Sequence, residues 1–255
     1  MGVDPSSPPM TLLLVMLHTG TMFAVIVYFW HMWRSTYFQS FAAFKKFAGF
    51  LILATALTGV VGELIIKIIE KTALRGSPHA EIEDLFSHLE FIAPALAAAG
   101  VLISIAGVLE KYPTRSRPET NDLNMRRAGL IGAVQGLCLP FRGFSRSGAT
   151  ISAGTLAGLT KSRAESFSFA LAVALTPPAV LREAMRLIHA QHLSGSANLT
   201  SAVFPSVVGA VLAFVAGLLA LRWLSRWLEG GRWYLFGIYC LLGAAVVAGL
   251  HHMGY

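Results

Sequence analysis

Charge is the scarcest property of this 255-residue chain: Asp, Glu, Lys and Arg together make up only 13% of it, against about 25% in ordinary soluble domains. With so few charges and 55% hydrophobic residues, a water-soluble globule is excluded, because one core of this size cannot hide so much apolar surface. Disorder is excluded by the same numbers. Cysteine is equally sparse. Cys138 and Cys240 lie in separate apolar stretches without metal-ligand spacing, so a disulfide scaffold is excluded and two buried, inert thiols are expected. Acid is the rarer sign of charge, 13 Asp and Glu against 20 Lys and Arg, for a formal charge of +7. The bases sit in short loops between apolar runs, where they set topology and meet anionic lipid, so no nucleic-acid partner is expected.

What the chain does have is long apolar runs, and its mean hydropathy is +0.63. Six are candidate membrane spans: Leu12 to Trp33, Ala48 to Ile66, Phe91 to Leu109, Phe167 to Leu181, Ala202 to Trp223 and Trp233 to Leu250. Most approach the roughly 20 residues that cross a hydrocarbon core. Phe167 to Leu181 is shorter and carries Pro177 and Pro178, which predicts a span broken near its end. Trp30, Trp33, Trp223, Trp227 and Trp233 fall near span ends, as interface anchors do. Residues 1–11 read as a polar, Pro-rich lead-in without the basic and apolar regions of a signal peptide. The expected architecture is an all-α integral membrane protein, a polytopic helix bundle forming a single membrane domain over residues 1–255.

Residues 128–160 break the pattern. Two short apolar pieces flank Pro140-Phe141-Arg142-Gly143-Phe144-Ser145-Arg146-Ser147-Gly148, and each piece is too short to span alone, which predicts a re-entrant, broken-helix hairpin. Loop charges support it. If 128–160 dips in and returns, thirteen bases fall on one side and five on the other; if it crosses once, the split is ten to eight. The re-entrant reading obeys the positive-inside rule better and puts loops 34–47, 110–127 and 222–232 in the cytoplasm, with both chain ends facing outward.

An arginine near membrane depth costs about 2.5–3.5 kcal/mol on insertion scales, so Arg142 and Arg146 need partners or a task. Ser145-Arg146-Ser147-Gly148-Ala149-Thr150 opens the second short helix. Its free N–H groups and positive dipole end point into the break. Arg146 adds a cation, Ser145, Ser147 and Thr150 add hydroxyls, and Gly143 and Gly148 let backbone approach a ligand. Together they read as a phosphate-binding cup. A plainer arrangement stays open, in which Ser145 is only an N-cap and Arg146 pairs with a carboxylate.

Gly132-Ala133-Val134-Gln135-Gly136-Leu137 followed by Gly143-Phe144-Ser145-Arg146-Ser147-Gly148-Ala149-Thr150 resembles the second signature of the bacterial undecaprenyl pyrophosphate phosphatase (bacitracin-resistance) family, G-x-x-Q-x-L then P-G-x-S-R-S-G-A-T. The likeness continues in Leu17 to Thr21 with Tyr28-Phe29-Trp30, in Ala164 to Phe169 (A-x-x-F-S-F) and in Phe236-Gly237-Ile238-Tyr239. Two departures stand out. Pro140-Phe141-Arg142-Gly143 replaces a plain Pro-Gly, so Arg142 is either a second cation in the cup or turned to solvent. No residue matches the family's Glu-rich N-terminal signature; the expectation is a reading frame that begins upstream of Met1, or a shortened relative.

The resemblance implies hydrolysis of undecaprenyl pyrophosphate to undecaprenyl phosphate and inorganic phosphate. That reaction recycles the carrier lipid for peptidoglycan synthesis at the bacterial inner membrane. It implies Arg146, Ser145, Ser147 and Thr150 as catalytic residues, and Gly143, Gly148, Gln135 and Arg142 as phosphate-binding ones. It implies a divalent cation, Mg or Ca, whose ligands belong to the unmatched signature; no metal ligand is assigned in this chain. Expected partners are the polyprenyl pyrophosphate lipid, the membrane and a second copy of the chain. Two other readings stay open: a polyprenyl-phosphate transporter or flippase, since broken helices also bind anions in carriers, and a non-catalytic relative that binds lipid phosphate. Among other polar residues, His18 is expected to serve packing and Glu63 to pair with Lys67 four residues on. His79, Glu81, Glu83, Asp84, His88 and Glu90 are expected to form a solvated acidic loop.

Overall fold

The computed structural model describes residues 8–72, 89–111, 119–141, 143–194 and 199–253. They form eight helices: α1 (Pro8–Thr36), α2 (Phe41–Thr72), α3 (Leu89–Lys111), α4 (Met125–Cys138), α5 (Arg146–Leu156), α6 (Lys161–Ser194), α7 (Leu199–Glu229) and α8 (Trp233–His252). Six of them, all but α4 and α5, are long and apolar enough to cross a membrane. They are the six spans expected from the apolar runs, and the protein is a multi-pass, all-α membrane protein. Large apolar side chains face outward along them, for example Ile52 at 70% and Phe204 at 77% exposure. Lipid, not water, is the solvent that makes such a surface stable.

Two boundaries differ from expectation. Helix α1 begins at Pro8, inside the expected lead-in, because proline's fixed φ and missing N–H suit a first helical turn. Helix α6 does not break at Pro177 and Pro178 but runs through both to Ser194. The two prolines remove only the donors that the Val173 and Ala174 carbonyls would have used. Unwinding in hydrocarbon would strand further backbone groups, so the helix persists. The charged cluster His79, Glu81, Glu83, Asp84 and His88 lies outside the described residues.

The chain divides into two compact units. The first comprises residues 1–43 and 169–224. Here α1 packs on α7 through small residues: a Cβ on Gly20 would run into the Ala210 carbonyl, and one on Gly217 would sit 3.0 Å from the Ala24 Cβ. Phe29, 2% exposed, stacks against Trp33 and Phe169 at centroid distances of 5.8 and 5.3 Å. His18 bonds the Leu14 carbonyl one turn back at 2.8 Å, a structural use of the ring.

The second unit, residues 44–168 and 225–255, holds the short helices. Helix α4 lies on α2. A Cβ on Gly136 would sit 2.7 Å from the Thr58 carbonyl oxygen, and one on Gly132 would strike that of Ala54. The close approach lets Thr58 Oγ1 donate across to the Gly132 carbonyl at 2.9 Å as well as to its own Ala54 at 2.8 Å. Helix α3 packs along α8 in the same manner, with a Cβ on Gly100 reaching within 2.9 Å of the Gly237 carbonyl oxygen. Glu63 and Lys67 pair at 3.0 Å on α2, as the spacing predicts. Cys138 and Cys240 are buried free thiols.

The re-entrant course of 128–160 is visible in the hydrogen bonds at its two feet. Thr120 N–H donates to the Gly158 carbonyl at 2.9 Å, and Thr160 N–H donates to the Thr120 carbonyl at 3.1 Å. Thr160 Oγ1 donates to Asn121 Oδ1 at 2.6 Å, and Arg127 Nε donates to the Ala157 carbonyl at 3.0 Å. The segment therefore enters and leaves at one level. At 14 and 11 residues, α4 and α5 rise about 21 and 16 Å, short of a hydrocarbon core of about 30 Å.

Candidate functional site: the break between α4 and α5

The hairpin starts with a cap. Asn124 Oδ1 accepts from Arg127 N–H at 2.9 Å, fixing the first turn of α4. Ten residues after Met125 comes Gln135, then the helix closes at Cys138. Gly143 turns the break with φ +92°, a value that side chains rarely adopt. Space excludes a side chain as well, since a Cβ there would lie 3.1 Å from the Ile92 carbonyl oxygen. Arg142, between Phe141 and Gly143, lies outside the described residues.

Ser145 is the N-cap of α5, its Oγ accepting from Gly148 N–H at 3.3 Å. A cap uses a lone pair of the hydroxyl and leaves its proton to donate elsewhere. The N–H groups of Arg146 and Ser147, in the first turn, have no preceding helical carbonyl to bond, as is the rule at a helix start. Gly148 lets this turn reach α3: a Cβ there would be 2.5 Å from Ile103 Cδ1.

Arg146 begins α5 and is exposed. Among the described residues its guanidinium has no hydrogen bond and no carboxylate partner. It lies within electrostatic reach of the Cys138 thiol at the end of α4. The plainer arrangement is thus realised in its first half and not, among the described residues, in its second. Ser147 is half-buried, and its hydroxyl has no partner among the described residues.

Thr150 is placed differently. It is fully buried, and its Oγ1 is committed to the Arg146 carbonyl at 2.8 Å, the Ser147 carbonyl at 3.3 Å and Ser168 Oγ at 2.5 Å. Its hydroxyl braces the first turn of α5 against α6. Ser168 is the residue that sequence reasoning did not single out, although it lies in the A-x-x-F-S-F stretch. A second brace is Trp233 Nε1 donating to Ser152 Oγ at 2.9 Å, from α8 to α5. A third buried pair, Ser225 Oγ donating to Glu165 Oε1 at 2.5 Å, joins the end of α7 to the start of α6.

Among the described residues no three His, Cys, Asp or Glu side chains converge as a metal would require. The described donor set does not fit a divalent cation. The set it does present (N–H groups at a helix start, hydroxyls and one guanidinium) suits an anion.

Fold and site together define a class: a multi-pass membrane protein with a re-entrant hairpin whose break offers donors to an anionic group. Residues 1–246 match the family described as Bacitracin resistance protein BacA, and the chain belongs to that family. It is 55% identical over 250 residues to Undecaprenyl-diphosphatase 2 of Acinetobacter baylyi, covering 97% of this chain and 86% of that protein. It is 32% identical to Undecaprenyl-diphosphatase 2 of Burkholderia ambifaria and 34% identical to Undecaprenyl-diphosphatase 1 of Burkholderia pseudomallei, in each case over 264 residues, 100% of this chain and 84% of the relative.

Proposed function

We propose that this chain hydrolyses undecaprenyl diphosphate in the bacterial inner membrane, releasing inorganic phosphate and leaving undecaprenyl phosphate for cell-wall assembly. The family and the names of its relatives support the substrate. The observation that carries the reading is the Arg146 guanidinium, without a carboxylate partner among the described residues, at the start of a capped helix inside a re-entrant hairpin.

In the reaction a water oxygen bonds to the terminal phosphorus, and the bond from that phosphorus to the bridging oxygen breaks. The electron pair stays on the undecaprenyl phosphate, and the proton lost by the attacking water passes to a product phosphate oxygen. Charge accumulates on the non-bridging and bridging oxygens, so fixed donors there lower the barrier. Arg146 supplies the cation. The N–H groups of Arg146 and Ser147 and the hydroxyls of Ser145 and Ser147 supply hydrogen bonds. Gly143 turns the break and Gly148 lets the first turn of α5 pack on α3, which places these donors. Thr150 acts through Arg146 and Ser147, whose carbonyls it holds, and is a positioning residue.

Purified protein given undecaprenyl diphosphate is expected to release phosphate. Arg146→Ala is expected to lower kcat/KM by about 10²-fold or more, the usual loss for one transition-state donor. Activity unchanged in that variant refutes the site. Movement of the lipid between leaflets of proteoliposomes without phosphate release would instead favour a carrier.

A further inference from the structure

Trp233 opens α8, at a span end where the sequence pattern expects an interface anchor. It is used otherwise. Trp30, near the end of α1, is 52% exposed, as an anchor is, but Trp233 is 1% exposed and turns inward. Its ring stacks on Phe236 at a centroid distance of 5.3 Å. Its backbone is pressed against α3, where a Cβ on Gly107 would sit 2.4 Å from the Tyr234 nitrogen. A buried indole N–H needs an acceptor, and the acceptor is Ser152 Oγ at 2.9 Å, in the middle of α5.

Helix α5 needs such a hold. Residues 148–154 are all buried, and of these seven only Ile151 has a side chain larger than threonine. A cylinder so smooth offers few ridges for neighbouring grooves to lock, so apolar packing fixes its rotation weakly. Two hydrogen bonds supply what packing lacks. Thr150 is tied to Ser168 of α6 at 2.5 Å, and Ser152 to Trp233 of α8. At about 100° per residue the two hydroxyls stand about 200° apart, so the bonds grip α5 from opposite sides. Arg146 precedes Thr150 by four residues and shares its face. A rotation of about 10° carries a side-chain tip about 6 Å from the axis through about 1 Å, and an error of about 1 Å costs up to about 10²-fold in rate.

We infer that Trp233 is a positioning residue of the hydrolysis: through Ser152 it sets the rotational phase of α5, and with it the place of the Arg146 guanidinium. The inference rests on the proposed hydrolase reading. Ser152 follows Arg146 by six residues, about 9 Å along the axis, so the indole acts through the helix and not as a catalytic group.

Phosphate release from undecaprenyl diphosphate by the full chain in detergent reads the effect. Trp233→Phe removes the N–H, and Ser152→Ala removes its acceptor. Each is expected to lower kcat at least fivefold while KM moves less than twofold, because alignment counts most in the transition state. The double variant is expected to fall no further than the worse single one, within twofold, since both break the same bond. Ser152→Ala, the smaller change, decides the matter should Trp233→Phe not fold. A kcat within twofold of wild type in either folded variant, whatever its Tm, overturns the inference; so does a KM that moves as far as kcat, or losses that multiply in the double variant. A second readout needs no turnover. The rate at which phenylglyoxal modifies Arg146, followed by peptide mapping, is expected to shift at least threefold in Ser152→Ala, and an unchanged rate overturns the inference. A wild type that releases no phosphate, with that shift present, overturns the hydrolase reading and leaves the placement of Arg146 by Trp233 intact.

Discussion

Thr150 and Ser168 illustrate how a site residue is decided by its neighbours. As types, Thr150 and Ser147 are interchangeable hydroxyl donors three residues apart. One helical turn of burial separates their roles, because Thr150 meets α6 and its hydroxyl is consumed there. Removing that hydroxyl with Thr150→Val strands Ser168, which is 3% exposed. The expected loss is about 1–3 kcal/mol of stability, the cost of one buried unsatisfied group. Adding Ser168→Ala should restore part of it, and a thermal double-mutant cycle in detergent measures the coupling. Strictly additive changes in that cycle would show that the bond contributes nothing.

At the scale of the element, two glycines do different work. Gly143 is required by conformation, with φ +92° at the break. Gly132 is required by space, with the Ala54 carbonyl where its Cβ would stand. Gly143→Ala is expected to cost about 1–3 kcal/mol of backbone strain and to lower kcat/KM, because the break places Ser145 and Arg146. Gly132→Leu should do more damage, pushing α4 off α2 and breaking the bond from Thr58 to the Gly132 carbonyl. A lowered melting temperature and lost phosphate release in the leucine variant would meet that expectation; a native Tm would contradict the close packing. The Ser145 cap belongs to this scale too, since it both starts α5 and frees a hydroxyl proton toward the break.

At the scale of the whole molecule, the loop charges predict a topology that can be tested. Lys46 approaches Asp122 at 3.8 Å, and Thr160 is bonded to Asn121 at 2.6 Å. These residues lie at one level of the second unit. The bond from Ser225 to Glu165 brings the end of α7 to the same level as the start of α6. Single cysteines replacing Lys45, Asp122 and Lys161, in a background without Cys138 and Cys240, should label with an impermeant thiol reagent only after spheroplasts are lysed. A cysteine replacing Met253, across α8, should label in intact ones. Labelling of the Asp122 and Lys161 positions from opposite sides would exclude a re-entrant 128–160.

Much of this was legible in residue order alone. Apolar run length locates the six spans, since the bilayer imposes one thickness on every crossing. Two short pieces around a Pro/Gly break cannot satisfy that thickness, so the hairpin is also readable, as is the donor-rich Ser145 to Thr150 turn. Tertiary structure decided what depends on contacts between distant segments. It set Thr150 against Ser168, eighteen residues on, and left Gln135 buried without a hydrogen-bond partner among the described residues. It carried α6 through Pro177 and Pro178, where the local rule expects a break. Local chemistry states what a residue can donate or accept; only packing settles whether a neighbour has already claimed it.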